Sequence, residues 1–184
     1  MYIPNLITIA RIFLVPLTVW LIISEAYAWA FVSFMVAGVS DGIDGFLARR
    51  FNWRTELGAY LDPLADKALM VSVYVTLGMF KVLPAWLVII VVSRDVLIVA
   101  AILLSRLVHK PVRVAPLMVS KITTVAQLAF VVIVLGAAAM AWPLDVIVNY
   151  GSIPVALLTV ASGAAYLRAW LEHMGEAQAE KGGP

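Results

Sequence analysis

The chain contains no cysteine and only two histidines among its 184 residues. Disulfides, thiolate nucleophiles and cysteine-based zinc sites are therefore excluded. Charge is scarce as well, with 13% of residues ionisable as Asp, Glu, Lys or Arg against 64% hydrophobic. That balance lies outside the range of ordinary soluble domains and suits a chain whose solvent is lipid. The sequence also lacks internal repeats, low-complexity tracts and interdomain linkers, so residues 1–184 read as one domain. No basic stretch precedes the first apolar run, near Leu6 to Ile23, and no small-residue cleavage site follows it. The run is expected to remain as a span and not to be cleaved as a signal.

What is present is a succession of six apolar runs, at about 6–23, 27–48, 57–80, 84–105, 120–141 and 153–174. Each approaches the ~20 residues needed to cross a bilayer as a helix, and an isolated strand cannot satisfy its backbone there. The expected fold is all-α, a polytopic membrane protein with six transmembrane helices. The connections on one side are short: Ser24 to Ala26, Lys81 to Leu83, and Trp142 to Ser152. The other side carries Arg49, Arg50, Arg54, Arg106, Lys110, Arg113, Lys121, Arg168 and Lys181, against Lys81 alone on the first. This asymmetry predicts that both termini and the basic loops are cytoplasmic. Trp29, Trp86 and Trp142 fall near the outer ends of the spans, and Trp53 and Trp170 near the inner ends, as interfacial anchors do. A formal net charge of +2 concentrated in these loops orients the chain and does not suggest a nucleic-acid partner.

Against this apolar background the acidic residues within or at the mouths of spans stand out: Asp41, Asp44, Asp62 and Asp66, with Arg94 and Asp95 further on. A charge at mid-span costs about 2.5 to 3.5 kcal/mol on insertion scales, so such groups face a cavity and need partners. Asp41 and Asp44 are three residues apart, and Asp62 and Asp66 four, so each pair shares a helix face. Two adjacent helices can then direct four carboxylates to one centre, to be compensated by shared protons, by Lys or Arg, or by divalent cations. Oxygen donors without cysteine or a nearby histidine suit Mg²⁺ or Mn²⁺ over zinc. A magnesium site in turn points to phosphate chemistry. Gly42 and Gly45 flank the first pair, Gly58 precedes the second and Ala48 lies one turn past Asp44, so a ligand can approach closely. Arg49 adds a bidentate phosphate-binding fork.

Read as one string, Asp41-x2-Asp44-Gly45-x2-Ala48-Arg49-x8-Gly58-x3-Asp62-x3-Asp66 resembles the signature of the CDP-alcohol phosphotransferase family at every position. The resemblance implies that the four aspartates hold two metal ions against the diphosphate of a CDP-lipid. It further implies that Asp66 is the general base for the acceptor hydroxyl and that Gly45, Ala48, Arg49 and Gly58 line the CDP-lipid pocket. The reaction that the resemblance implies is a direct displacement, with CMP leaving and no covalent enzyme intermediate. The family resemblance also suggests a homodimer, in an integral-membrane setting expected to be a bacterial inner membrane with the site facing the cytoplasm.

Plainer roles compete at individual positions. Asp62 before Pro63 could cap a helix, Arg50 and Arg54 suit topogenic charges, and Lys67 is left outside the site as a neutraliser of the aspartates. Isolated features also fit a membrane prenyltransferase or a transporter, but neither accounts for Gly45, Ala48 and Arg49 together. An EF-hand fails because Asn52 stands where a bidentate Glu is required.

The acceptor is read from the rest of the chain. Pro4-Asn5-Leu6-Ile7-Thr8 with Arg11 is similar to the branch containing phosphatidylglycerophosphate and CDP-lipid-dependent cardiolipin synthases. Ser93-Arg94-Asp95-Val96 and Val119-Ser120-Lys121-Ile122, followed by Thr123, Thr124 and Gln127, resemble the cardiolipin group more closely. The expectation is transfer from CDP-diacylglycerol to phosphatidylglycerol, with glycerol 3-phosphate as the alternative acceptor. Both are anionic, which nominates Arg94 and Lys121, then Arg113, with Asn5 and Thr8 near the mouth, as acceptor-binding residues. For Arg94 the competing role is an internal ion pair.

Overall fold

A computed structural model describes the backbone of residues 3–50, 56–107 and 118–179 and the side chains of residues 10–43, 66–100 and 118–168. Each apolar run forms a helix: α1 (Ile3–Ile23), α2 (Tyr27–Arg50), α3 (Glu56–Met79), α4 (Ala85–Leu107), α5 (Met118–Ala139) and α6 (Leu144–Ala179). The described residues contain no strand. Five of the expected spans match their helices to within three residues at either end. The sixth differs, because the stretch to Ser152 expected as a connection is already helical from Leu144. Pro143 directly ahead of the helix and Asp145 in its first turn favour a start there. Gly151 and Pro154, which suggest a break, are carried inside the helix, as Pro16 is in α1.

The three short connections are built alike. The amides of Ala26, Val82 and Trp142 donate to the carbonyls of Leu21, Leu77 and Ala137, five residues back. Those of Glu25, Lys81 and Ala141 donate three residues back, to Ile22, Gly78 and Ala138. This pairing closes a helix C-terminus with one left-handed residue, and Glu25, Lys81 and Ala141 have φ of 56°, 58° and 53°. Each turn reverses the chain in a few residues and so makes neighbours of α1 and α2, α3 and α4, and α5 and α6. Trp29, Trp86 and Trp142 are exposed at this end. Trp53 lies outside the described residues, as does the side chain of Trp170.

Further packing joins α1 to α3, α2 to α5, and α4 to α6. The central core contains Phe34, Val73, Tyr74, Leu77, Leu87, Val91, Val131 and Leu135. Close approach at two crossings requires glycine: a Cβ on Gly78 would lie 2.7 Å from Val88 Cγ2, and one on Gly151 2.5 Å from Phe130 Cε2.

Alongside this apolar core, polar residues are buried and large apolar ones face outward. Thr18, Ser33, Arg94, Asp95, Thr123, Gln127, Ser152, Thr159 and Ser162 are buried, while Phe13, Trp20, Ile89, Leu97, Val125 and Leu157 are more than 60% exposed. Interior hydroxyls and amides are satisfied within or between helices. Thr18 and Ser33 share a 2.7 Å hydrogen bond, and Gln127 Nε2 donates to Thr159 Oγ1 at 3.0 Å. Two described stretches, Met118–Ala139 and Leu144–Arg168, are long and apolar enough to cross a membrane. Ala10–Ile23 and Tyr27–Ile43 are apolar over shorter lengths, and α3 and α4 carry ionisable residues within theirs, among them Asp66, Lys67, Arg94 and Asp95.

Candidate active site

The two acidic motifs lie toward the C-terminal end of α2 and the N-terminal end of α3, and α1 packs against both helices. Arg11, fully buried on α1, joins them. Its Nη1 lies 2.8 Å from Asp41 Oδ1 and 3.0 Å from Asp66 Oδ1. Two carboxylates separated by 25 positions in the chain thus meet at one nitrogen, each with more than 40% of its side chain exposed. The helical backbone sets Asp44 one turn beyond Asp41 on α2 and Asp62 one turn before Asp66 on α3. Their side chains lie outside the described residues, as do those of Gly45, Ala48, Arg49 and Gly58, which the backbone assigns to the same two helices. Among the described residues no group of three potential metal ligands occurs. The two described carboxylates nonetheless fit a hard divalent ion, being convergent, accessible oxygen donors with no nitrogen or sulfur ligand between them.

Arg11 is the residue whose role the sequence reading missed. The signal was available, because Arg11 is the only charged residue among the 21 of α1, and a lone intramembrane charge marks a partner or a site.

A second polar centre lies alongside, across α3, α4, α5 and α6. Asp95 Oδ1 accepts from Lys67 Nζ at 2.5 Å and from Arg94 Nη1 at 2.7 Å. Arg94 Nη2 donates to Ser120 Oγ at 2.5 Å and Ser162 Oγ at 3.0 Å. Among the described residues, Arg94 is therefore engaged in an internal ion pair with Asp95 and with neither Asp41 nor Asp66. Two cations share this one carboxylate, which leaves the trio with a net positive charge, and Lys67, about one-third exposed, is its accessible member. α6 passes close to Arg94 at Gly163, where a Cβ would make an ordinary 3.8 Å contact with Arg94 Cγ. Lys121 is exposed on the first turn of α5 and is not part of this network. Arg113 lies outside the described residues, as do the side chains of Asn5 and Thr8, which α1 carries.

An apolar groove of about 380 Å³ runs between α2 and α5, lined by Phe34, Met35, Gly38 and Val39 on one side and Leu128, Ala129, Val132 and Ile133 on the other. Gly38 is one helical turn before Asp41, so the groove ends beside the carboxylate centre.

A family model for CDP-alcohol phosphatidyltransferases matches residues 1–166. The chain is 37% identical over 145 residues to a human cardiolipin synthase (CMP-forming), covering 70% of this chain and 48% of that protein. It is 37% identical over 106 residues to a Streptomyces coelicolor cardiolipin synthase (CMP-forming), covering 54% of this chain and 49% of that protein. A rice chloroplastic CDP-diacylglycerol–glycerol-3-phosphate 3-phosphatidyltransferase is 36% identical over 146 residues, covering 70% of this chain and 44% of that protein. The chain spans about half the length of the curated relatives it matches. With a match over residues 1–166 and paired carboxylates where the motif requires them, the chain belongs to the CDP-alcohol phosphatidyltransferase family.

Proposed function

We propose that this protein is an integral-membrane enzyme that transfers a phosphatidyl group from CDP-diacylglycerol to phosphatidylglycerol, giving cardiolipin and CMP. The observation that carries this reading is the meeting of Asp41 and Asp66 at Arg11 Nη1, which brings the two halves of the motif to one point. Asp41, Asp44, Asp62 and Asp66 would hold two Mg²⁺ or Mn²⁺ ions. When bound, the ions supply the charge that offsets the donor diphosphate and the transferring phosphoryl.

Asp66 takes the proton of the acceptor hydroxyl. The freed oxygen forms a bond to the lipid-side phosphorus as the bond from that phosphorus to the CMP oxygen breaks. Gly45, Ala48 and Gly58 leave room for the nucleotide, and Arg49 pairs with its phosphates. The net positive trio of Lys67, Arg94 and Asp95 suits an anionic acceptor, with Lys121 and Arg113 as further cations and Asn5 and Thr8 at the mouth. The groove between α2 and α5 suits an acyl tail of a lipid substrate.

The apolar exterior supports placement of all six helices in a bilayer. The basic residues that the sequence assigns to the end opposite the three short turns support a cytoplasmic site; a bacterial inner membrane is the setting proposed, and a homodimer the assembly. Similarity to proteins named cardiolipin synthase (CMP-forming) from human and Streptomyces supports the cardiolipin-forming reading and with it phosphatidylglycerol as acceptor. The rice relative supports glycerol 3-phosphate as the alternative.

The deciding experiment supplies purified protein with CDP-diacylglycerol, Mg²⁺ or Mn²⁺, and each acceptor in turn, and follows CMP release and the lipid product. Cardiolipin from phosphatidylglycerol is expected. Product from glycerol 3-phosphate alone would replace the acceptor, and turnover in excess chelator would overturn the metal-dependent mechanism.

A further inference from the structure

Arg11 contributes more than a neutralising charge. It sits on α1, the helix packed against both α2 and α3, and touches the first motif aspartate and the last through one nitrogen. The described contacts reach Oδ1 of each carboxylate, and a carboxylate oxygen has lone pairs for more than one partner. Arg11 is fully buried, whereas Asp41 and Asp66 keep 42% and 44% of their side-chain exposure. The guanidinium therefore approaches from the protein side while both carboxylates remain accessible from the other. Without it, two like charges on separate helices would repel and their helices would lose the link that α1 supplies.

We infer that Arg11 is a positioning residue of the metal site, holding Asp41 and Asp66 at the separation that divalent cations require before any cation binds. This rests on the proposed reading of the aspartates as metal ligands. The role belongs to arginine because its charge is permanent and its planar fork is rigid. Lysine would keep the charge but reach the two oxygens with a shorter, more flexible stem. Groups that orient metal ligands from behind typically change metal affinity by about 10- to 100-fold when removed.

The test measures Mn²⁺ binding directly, from the loss of the free-ion electron paramagnetic resonance signal, in detergent-solubilised full-length protein without substrate. The parent, Arg11→Gln and Arg11→Lys are compared, with thermal stability recorded without metal and KM for the acceptor recorded separately. Arg11→Gln is expected to weaken Mn²⁺ binding by about 10- to 100-fold. Arg11→Lys is expected to lie between it and the parent, with the acceptor KM at saturating Mn²⁺ nearly unchanged in both. Should Arg11→Gln fail to fold, Arg11→Lys decides the matter: parental Mn²⁺ affinity in that variant overturns the inference. Tighter Mn²⁺ binding in either variant would also overturn it, by making Arg11 a competitor for the site. If the parent itself binds no Mn²⁺, the metal-dependent reading fails as a whole, which is distinct from a parent and variants that bind equally well.

Discussion

Lys67, the residue directly after the last motif aspartate, is tied to Asp95 on the next helix by a 2.5 Å ion pair. The chain therefore turns from one polar centre to the other within a single residue of α3. Asp66 points to Arg11 and the first motif, and Lys67 to Asp95, Arg94 and through them to Ser120 and Ser162. Donor and acceptor chemistry proposed for the two centres would be coupled through this short segment of backbone. It also makes Lys67, left outside the site when the sequence was read alone, a bridge between them.

Among the described residues Asp95 is the only carboxylate that contacts both Lys67 and Arg94, and Arg94 is 3% exposed. Asp95→Asn would leave a buried guanidinium facing a neutral amide. Removing one partner of a buried pair costs about 3 to 5 kcal/mol. The variant is expected to melt well below the parent in detergent, while Asp95→Glu, which keeps the charge, loses much less. Equal melting of Asp95→Asn and the parent would show that the serines alone satisfy Arg94.

Much of this was legible in the chain because hydrophobic runs and helical spacing are local signals. The 3- and 4-residue intervals in the motif placed the aspartates on helix faces, and Asp41 and Asp66 do converge. The partners of those faces were harder to see. Arg11 lies 30 positions before Asp41 and 55 before Asp66, so only the packing of α1 on both helices identifies what it compensates. Arg94 was read as either an acceptor ligand or an internal pair, and its link to the adjacent Asp95 needs side-chain directions that spacing does not supply. The start of α6 differs from the expected one because the Trp142 to Ser152 segment, read as a connection, is helical from Leu144; a long helix packed against α4 and α5 carries Gly151 and Pro154 despite their low local helix preference.

Asp66→Asn tests the proposed base. The amide cannot take the acceptor proton, and a positioned general base contributes about 10²- to 10⁴-fold to rate. A loss of kcat in that range is expected, with binding of CDP-diacylglycerol partly retained because Asp41, Asp44 and Asp62 persist. Quench-flow measurement of CMP release, alongside equilibrium binding of the donor, separates the two effects. Unchanged turnover would remove Asp66 from the mechanism.

Gly151 allows α6 to lie against Phe130 of α5. An added Cβ would stand 2.5 Å from the Phe130 ring, and Phe130 is itself 4% exposed, so the ring has little room to withdraw. Overpacking of this kind costs about 1 to 3 kcal/mol. Gly151→Ala should therefore lower the melting temperature without changing KM for either substrate, since the crossing lies away from the carboxylates. A variant that melts with the parent would mean that Phe130 turns aside at no cost.

The groove between α2 and α5 gives the sharpest prediction about lipid tails. A Cβ on Gly38 would meet no atom within 4 Å, so a large side chain can enter the groove without displacing backbone. Gly38→Trp should fill part of the space now bounded by Phe34, Val39, Leu128 and Val132. If an acyl tail lies there, excluding as few as two methylenes at about 0.8 kcal/mol each weakens binding roughly tenfold. The expected result is a KM for dioleoyl CDP-diacylglycerol or dioleoyl phosphatidylglycerol raised about tenfold, with the dihexanoyl analogue of the same lipid much less affected. The lipid whose chain length governs the effect identifies which tail uses the groove. An equal change for long and short chains of both lipids would show that the tails run elsewhere on the apolar surface.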